Sequence, residues 1–142
     1  MKLYGSVDNR FDENKNFLNR GIQVGDDITF YLWSDRKCYY VTNVIDQKHI
    51  FVRKYEVVAD REKEGGMGHQ NWLYFKTVKE CNDYLRKYGL GTDEPVFEHI
   101  DEEWVYRYNH WYRAYNNYSG KRCYEKINVS FGVRDYYFDW EF

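Results

Sequence analysis

The sequence has almost no charge to spare. Its 21 lysines and arginines face 23 aspartates and glutamates, a net charge of −2, which provides no global field for a phosphodiester polymer and removes long duplex nucleic acid from the expected partners. Cysteine is scarce and odd in number (Cys38, Cys81, Cys123) with no C-x-x-C pair, and the 4 histidines (His49, His69, His99, His110) lie far apart without metal-ligand spacing. Free thiols, a reducing cytoplasm and no structural zinc are therefore expected, with no cofactor. No apolar run approaches the length of a membrane-spanning helix, and Met1 is followed by polar and charged residues, so neither a span nor a signal peptide is expected. The chain also lacks G-x-x-x-x-G-K-[ST], H-E-x-x-H and G-x-S-x-G, which leaves phosphate-loop, zincin and serine-hydrolase chemistry without a motif. It shows no internal repeat, heptad or low-complexity segment.

What the chain has in quantity is aromatic residues, 21% of its 142 positions, with tyrosine (16) ahead of phenylalanine (9) and tryptophan (5). These favour strands and amphipathic contact surfaces. The length predicts a single domain, 1–142, that buries roughly two thirds of its unfolded surface. The tail from Lys126 to Phe142 carries the clearest pattern. Ile127, Val129, Phe131 and Val133 alternate with Asn128, Ser130, Gly132 and Arg134, and after Asp135 the phase inverts to Tyr136, Phe138, Trp140 and Phe142. Such an inversion needs an extra residue or a turn, expected between Gly132 and Asp135. A bulge there aims Arg134 into a pocket; without one it is an exposed strand-end arginine.

Lys2–Val7 is a candidate first strand and Asp8–Asn19 a loop. Ile28–Trp33 alternates as a strand, Ser34–Lys37 is a polar connection, and Cys38–Ile45 returns as the second arm of a hairpin, followed by a third strand at His49–Val58. The charged run Asp60–Gly68 precedes a strand at Asn71–Phe75. Thr77-Val78-Lys79-Glu80 matches a capping box, with Val78, Cys81, Leu85 and Tyr88 at helical spacing and Gly89 as the stop. Pro95, the one proline, lies in an acidic linker, and Glu103–Tyr115 reads as strand. The expected class is α+β, a mainly antiparallel, barrel-like sheet with one helix at about 78–88.

Arginine beside aromatic residues recurs: Trp33, Arg36 and Tyr39; Trp104, Arg107 and Tyr108; Arg134, Tyr136 and Tyr137. A small nucleotide needs flat surfaces for its base and planar cations for its phosphates, and these residue types supply both. The same types also pair across ordinary sheets. Loose pairs such as Glu102 with Glu103, or His69 with Asp60, are the material for a hydrolytic site.

Trp33-Ser34-Asp35-Arg36 at a hairpin, Gly66-Met67 in the loop after a strand, and the ending Gly132-Val133-Arg134-Asp135-Tyr136-Tyr137 together resemble the Thoeris anti-defence sponges. Those are small phage proteins that sequester, without cleaving, cyclic ADP-ribose isomers made by bacterial TIR-domain enzymes. The resemblance implies that Arg36 and Arg134 hold the pyrophosphate, that Trp104, or in its place Tyr106, stacks adenine, and that Met67 closes the pocket beside Tyr136. It also implies a homodimer or higher homo-oligomer in the infected host's cytoplasm, with cyclic oligonucleotides as possible ligands of a second site. The helix at 78–88 and the acidic linker depart from the family's pattern at the pocket rim. Two rival functions are an enzyme that degrades the same signal and a protein-binding inhibitor of a host defence complex.

Overall fold

The computed structural model describes residues 21–60, 71–132, 134 and 136. The expected strand at 2–7, the loop at 8–19, most of the charged run before the fifth strand, and the tail from Tyr137 onward lie outside the described residues. Strands β1 (Asp27–Tyr31) and β2 (Arg36–Asp46) form the expected hairpin, and β3 (His49–Lys54) continues the meander. The polar connection, residues 32–35, lies two residues earlier than expected. Leu32 N–H donates to the Asp35 carbonyl at 2.9 Å, and Arg36 already belongs to β2.

The expected third strand, His49–Val58, is in fact two. Pairing stops at Tyr55, whose N–H turns to the Cys38 carbonyl (3.0 Å), and β4 (Glu56–Ala59) leaves to form a separate hairpin with β5 (Trp72–Phe75). Helix α1 (Val78–Arg86) packs on that hairpin, with Cys81 buried and the Phe75 and Tyr84 rings 5.6 Å apart. Thr77 caps it as the sequence predicts, its hydroxyl accepting from Glu80 N–H at 3.1 Å. The acidic linker then returns to the same helix end, where the Glu98 carboxylate accepts from the N–H groups of Val78 and Lys79. A carboxylate there satisfies orphan donors and meets the positive end of the helix dipole.

The stretch expected as one strand from Glu103 to Tyr115 is instead a tight hairpin of β6 (Glu102–Arg107) and β7 (His110–Asn116). Tyr108 and Asn109 form its two-residue turn with φ of 55° and 62°, the left-handed pair that such a turn demands. No glycine marks it, so the sequence hides it. Strand β8 (Arg122–Ile127) follows, and after one residue, Asn128, comes β9 (Val129–Phe131).

The main sheet runs β8-β7-β6-β3-β2-β1-β9, antiparallel throughout. Laid flat, its edge strands would stand roughly 29 Å apart at the usual inter-strand spacing. Yet β8 and β9 are joined by a single residue, whose carbonyl accepts from Tyr31 N–H at 2.9 Å. The sheet therefore curls strongly, into a half-barrel of the barrel-like kind expected. Its interior holds Ile28, Tyr39, Val41, Ile50, Val52, Trp104, Trp111, Ile127 and Phe131. The tail's alternation places Ile127 and Phe131 inward as expected, and the break falls at Gly132, whose φ is 80°.

Candidate functional site

Alternation along β2 separates two surfaces. Tyr39 and Val41 point into the barrel, whereas Cys38 and Tyr40 point out, and Arg36 shares their face by the same period. An outer face of a small barrel is ordinarily wet. Here it is covered: Cys38 and Tyr40 form a second buried cluster with Tyr55, against which Val57, Tyr74 and Tyr136 pack, and outward-facing Thr29 and Ser130 are also buried. The cover is the β4–β5 hairpin together with the returning tail. After Gly132, whose N–H donates to the Asp27 carbonyl (2.7 Å), the chain doubles back so that Tyr136 N–H donates to the Tyr74 hydroxyl at 3.0 Å. The Tyr136 ring meets Trp72 edge-on at 4.7 Å.

Arg134 lies in this fold-back. Its guanidinium sits 4.2 Å from the centre of the Tyr74 ring and 5.5 Å from that of Tyr55. Exposed itself, it makes no ion pair among the described residues. Tyr55 is held from beneath, its hydroxyl donating to Asp27 Oδ1, while its ring stands 4.8 Å from Tyr40 and 5.9 Å from Tyr74. Burial, reinforced by the Asp27 hydrogen bond, pushes the Tyr55 hydroxyl well above the ordinary phenol range, so it stays a neutral donor at physiological pH. Burial likewise raises Tyr136, with the charge of Asp35, in the β1–β2 turn, next among the causes.

The structure thus gathers Arg134 and Tyr136, and sets Arg36 on the same face of β2. Met67 lies outside the described residues. The stacking role expected of Trp104 needs correction. Its ring is 0% exposed, wedged against Tyr39 (5.1 Å) and Phe30 (6.0 Å), with its indole N–H donating to Glu102 Oε1 at 3.4 Å. A ring enclosed on this scale has no free face for a base. Tyr106 also belongs to the interior, 5.4 Å from Trp111 and only partly buried. Both are separated from Arg134 by the thickness of the sheet.

No family model, curated protein or solved structure matches this chain. The site therefore rests on its own geometry. Four of its members, Tyr55, Tyr74, Trp72 and Asp27, were not expected from the sequence. Trp72 and Tyr74, two residues apart on a strand, carried the available signal, since they must share a face. The suggested hydrolytic pair comes apart: Glu102 points inward to Tyr39 and Trp104, whereas Glu103 points outward and accepts from His49 and Arg122, each at 2.6 Å.

Proposed function

We propose that the aromatic outer face bearing Arg36, Arg134 and Tyr136 binds a small phosphorylated ligand with a heteroaromatic base and holds it without cleaving it. A cyclic ADP-ribose isomer is the ligand class, and hiding that immune signal in an infected bacterial cytoplasm is the biological role that the motif resemblance suggests. The observation that supports this reading best is Arg134. A guanidinium laid over a tyrosine ring is fixed in orientation, and with no carboxylate partner among the described residues it suits phosphate oxygens. Beside it, the rings of Tyr136 and Trp72 are of the type on which a base stacks. Sequestration asks for slow release rather than chemistry, and nanomolar affinity corresponds to about −12 kcal/mol.

Calorimetric titration with cyclic ADP-ribose isomers tests the proposal. Binding is expected for the native chain, and Arg134→Ala and Arg36→Ala are expected to weaken it by about ten- to a hundredfold, the value of one charge-assisted hydrogen bond. After heat denaturation the ligand should be recovered intact, in stoichiometric amount. Linear ADP-ribose in the eluate, or more than one turnover per site, would replace the sponge by an enzyme. Binding of a host protein with no response to any isomer would favour the inhibitor.

A further inference from the structure

The inner face of the sheet carries a second polar constellation that the outer site does not use. In register, Lys37 lies opposite Phe30 and Lys54 opposite Tyr39. Phe30 and Tyr39 face the barrel core, so both half-buried lysines line the interior at one end of the barrel. Around them stand Glu102, which accepts from the Tyr39 hydroxyl, and the Arg113–Glu125 ion pair, which acts on Tyr39 from across the interior.

The local charges do not cancel in pairs. Glu125 is occupied by Arg113 through contacts of 2.7 and 3.2 Å, Glu102 by Tyr39 and the Trp104 indole, and Glu56 by His99 at 2.8 Å. Lys37 and Lys54 have no ion pair among the described residues, and register makes them diagonal neighbours on the inward face of β2 and β3. Desolvation and then Lys37 depress the Lys54 ammonium below the ordinary lysine range, with Glu56 and Glu102 opposing. Two like charges brought together over a floor of Phe30, Tyr39 and Trp104 are a standing electrostatic cost unless something negative lies between them.

We propose that Lys37 and Lys54 form an anion site at this end of the barrel interior, and that its occupant is a phosphate-class oxyanion. A tetrahedral oxyanion can span two ammonium groups, offers each an acceptor and neutralises the pair. The site lies on the face opposite Arg134 and is independent of the function proposed above.

Thermal melts in inorganic phosphate, against sodium chloride of equal ionic strength, test it. Phosphate should raise the midpoint by roughly a few degrees at saturating concentration. Lys37→Met and Lys54→Gln should each abolish that increment, and should melt no lower than the native chain without phosphate because the repulsion is gone. Adenosine monophosphate, adenosine and phosphate compared side by side separate the sources: equal effects of the first and third identify a bare phosphate group, and a larger effect of the nucleotide identifies a phosphoester whose base also makes contact. An increment that survives in both lysine variants, or that chloride reproduces, would overturn the proposal.

Discussion

Replacing Trp104 by alanine separates a core residue from a ligand platform. The side chain is fully enclosed by Phe30, Tyr39 and their neighbours, and its indole N–H meets Glu102. Truncation removes the largest fully buried side chain of the described residues and leaves a cavity that close-packed neighbours fill only in part. Comparable substitutions cost about 3–5 kcal/mol, a large share of the roughly 5–15 kcal/mol that holds a domain folded. For a chain of this size that is a midpoint drop of roughly 10–20 °C. Urea denaturation followed by circular dichroism, with ligand affinity measured below the new midpoint, reads both quantities. The expected result is a severe loss of stability with affinity nearly preserved in the molecules that remain folded. A variant of native stability whose affinity has collapsed would refute the reasoning and return Trp104 to the ligand.

Three further outcomes follow from local geometry. Arg122, then His49, hold the Glu103 carboxyl below its ordinary value of 4.5; a depressed folded pKa contributes stability that is present above the unfolded value and is lost as pH falls through the folded one. Glu103→Gln should therefore lower the urea midpoint at pH 7, and the gap to the native chain should close as pH is taken below about 4; a gap unchanged across that range would show that the ion pairs contribute nothing. Tyr108, exposed and at φ 55°, strains an L residue, so Tyr108→Gly should stabilise the hairpin by about 1 kcal/mol, measured as a higher melting midpoint; a fall would mean the ring itself is held by something. A Cβ on Gly91 would lie 2.7 Å from the Asn82 carbonyl and 2.9 Å from the Arg86 nitrogen, so Gly91→Ala should cost about 1–3 kcal/mol and free the amides that Asn82 now clasps at Thr92, visible as faster hydrogen exchange there; unchanged exchange would contradict the packing described.

Legibility in the sequence followed the range of the signals. Strand alternation from Ile28 and the Thr77 cap are local, and both elements appear where the pattern puts them. The turn at Tyr108–Asn109 is equally local but is written in residues that rarely adopt a left-handed backbone, so it passed as continuous strand. What alternation cannot convey is which neighbours cover a face. Cys38 and Tyr40 sit on the outer face and are buried, because a hairpin distant in sequence folds over them, and Ser130 and Thr29 read as solvent-side residues yet are buried too. The same limit governs the site. Arg36, Arg134 and Trp104 are equally plausible as ligand groups in one dimension; the phase of β2 puts Arg36 outside, that of β6 puts Trp104 inside, and only the fold-back after Gly132 lays Arg134 over Tyr74. Lys37 and Lys54 are unremarkable lysines until register makes them neighbours.

The single-residue junction at Asn128 also sets a schedule. Ile28 is paired with Phe131, so the first strand of the barrel waits for the last described one before its second edge is filled. During synthesis, every other strand of the main sheet can find its partners while β1 still offers an open row of backbone donors and acceptors to any passing chain. Pairing of β9 with β1 is thus a late and long-range event, and the same few residues lead through Gly132 into the fold-back that carries Arg134. A chain that has not yet docked its last strand has no completed aromatic face, so that face and the end of folding arrive together.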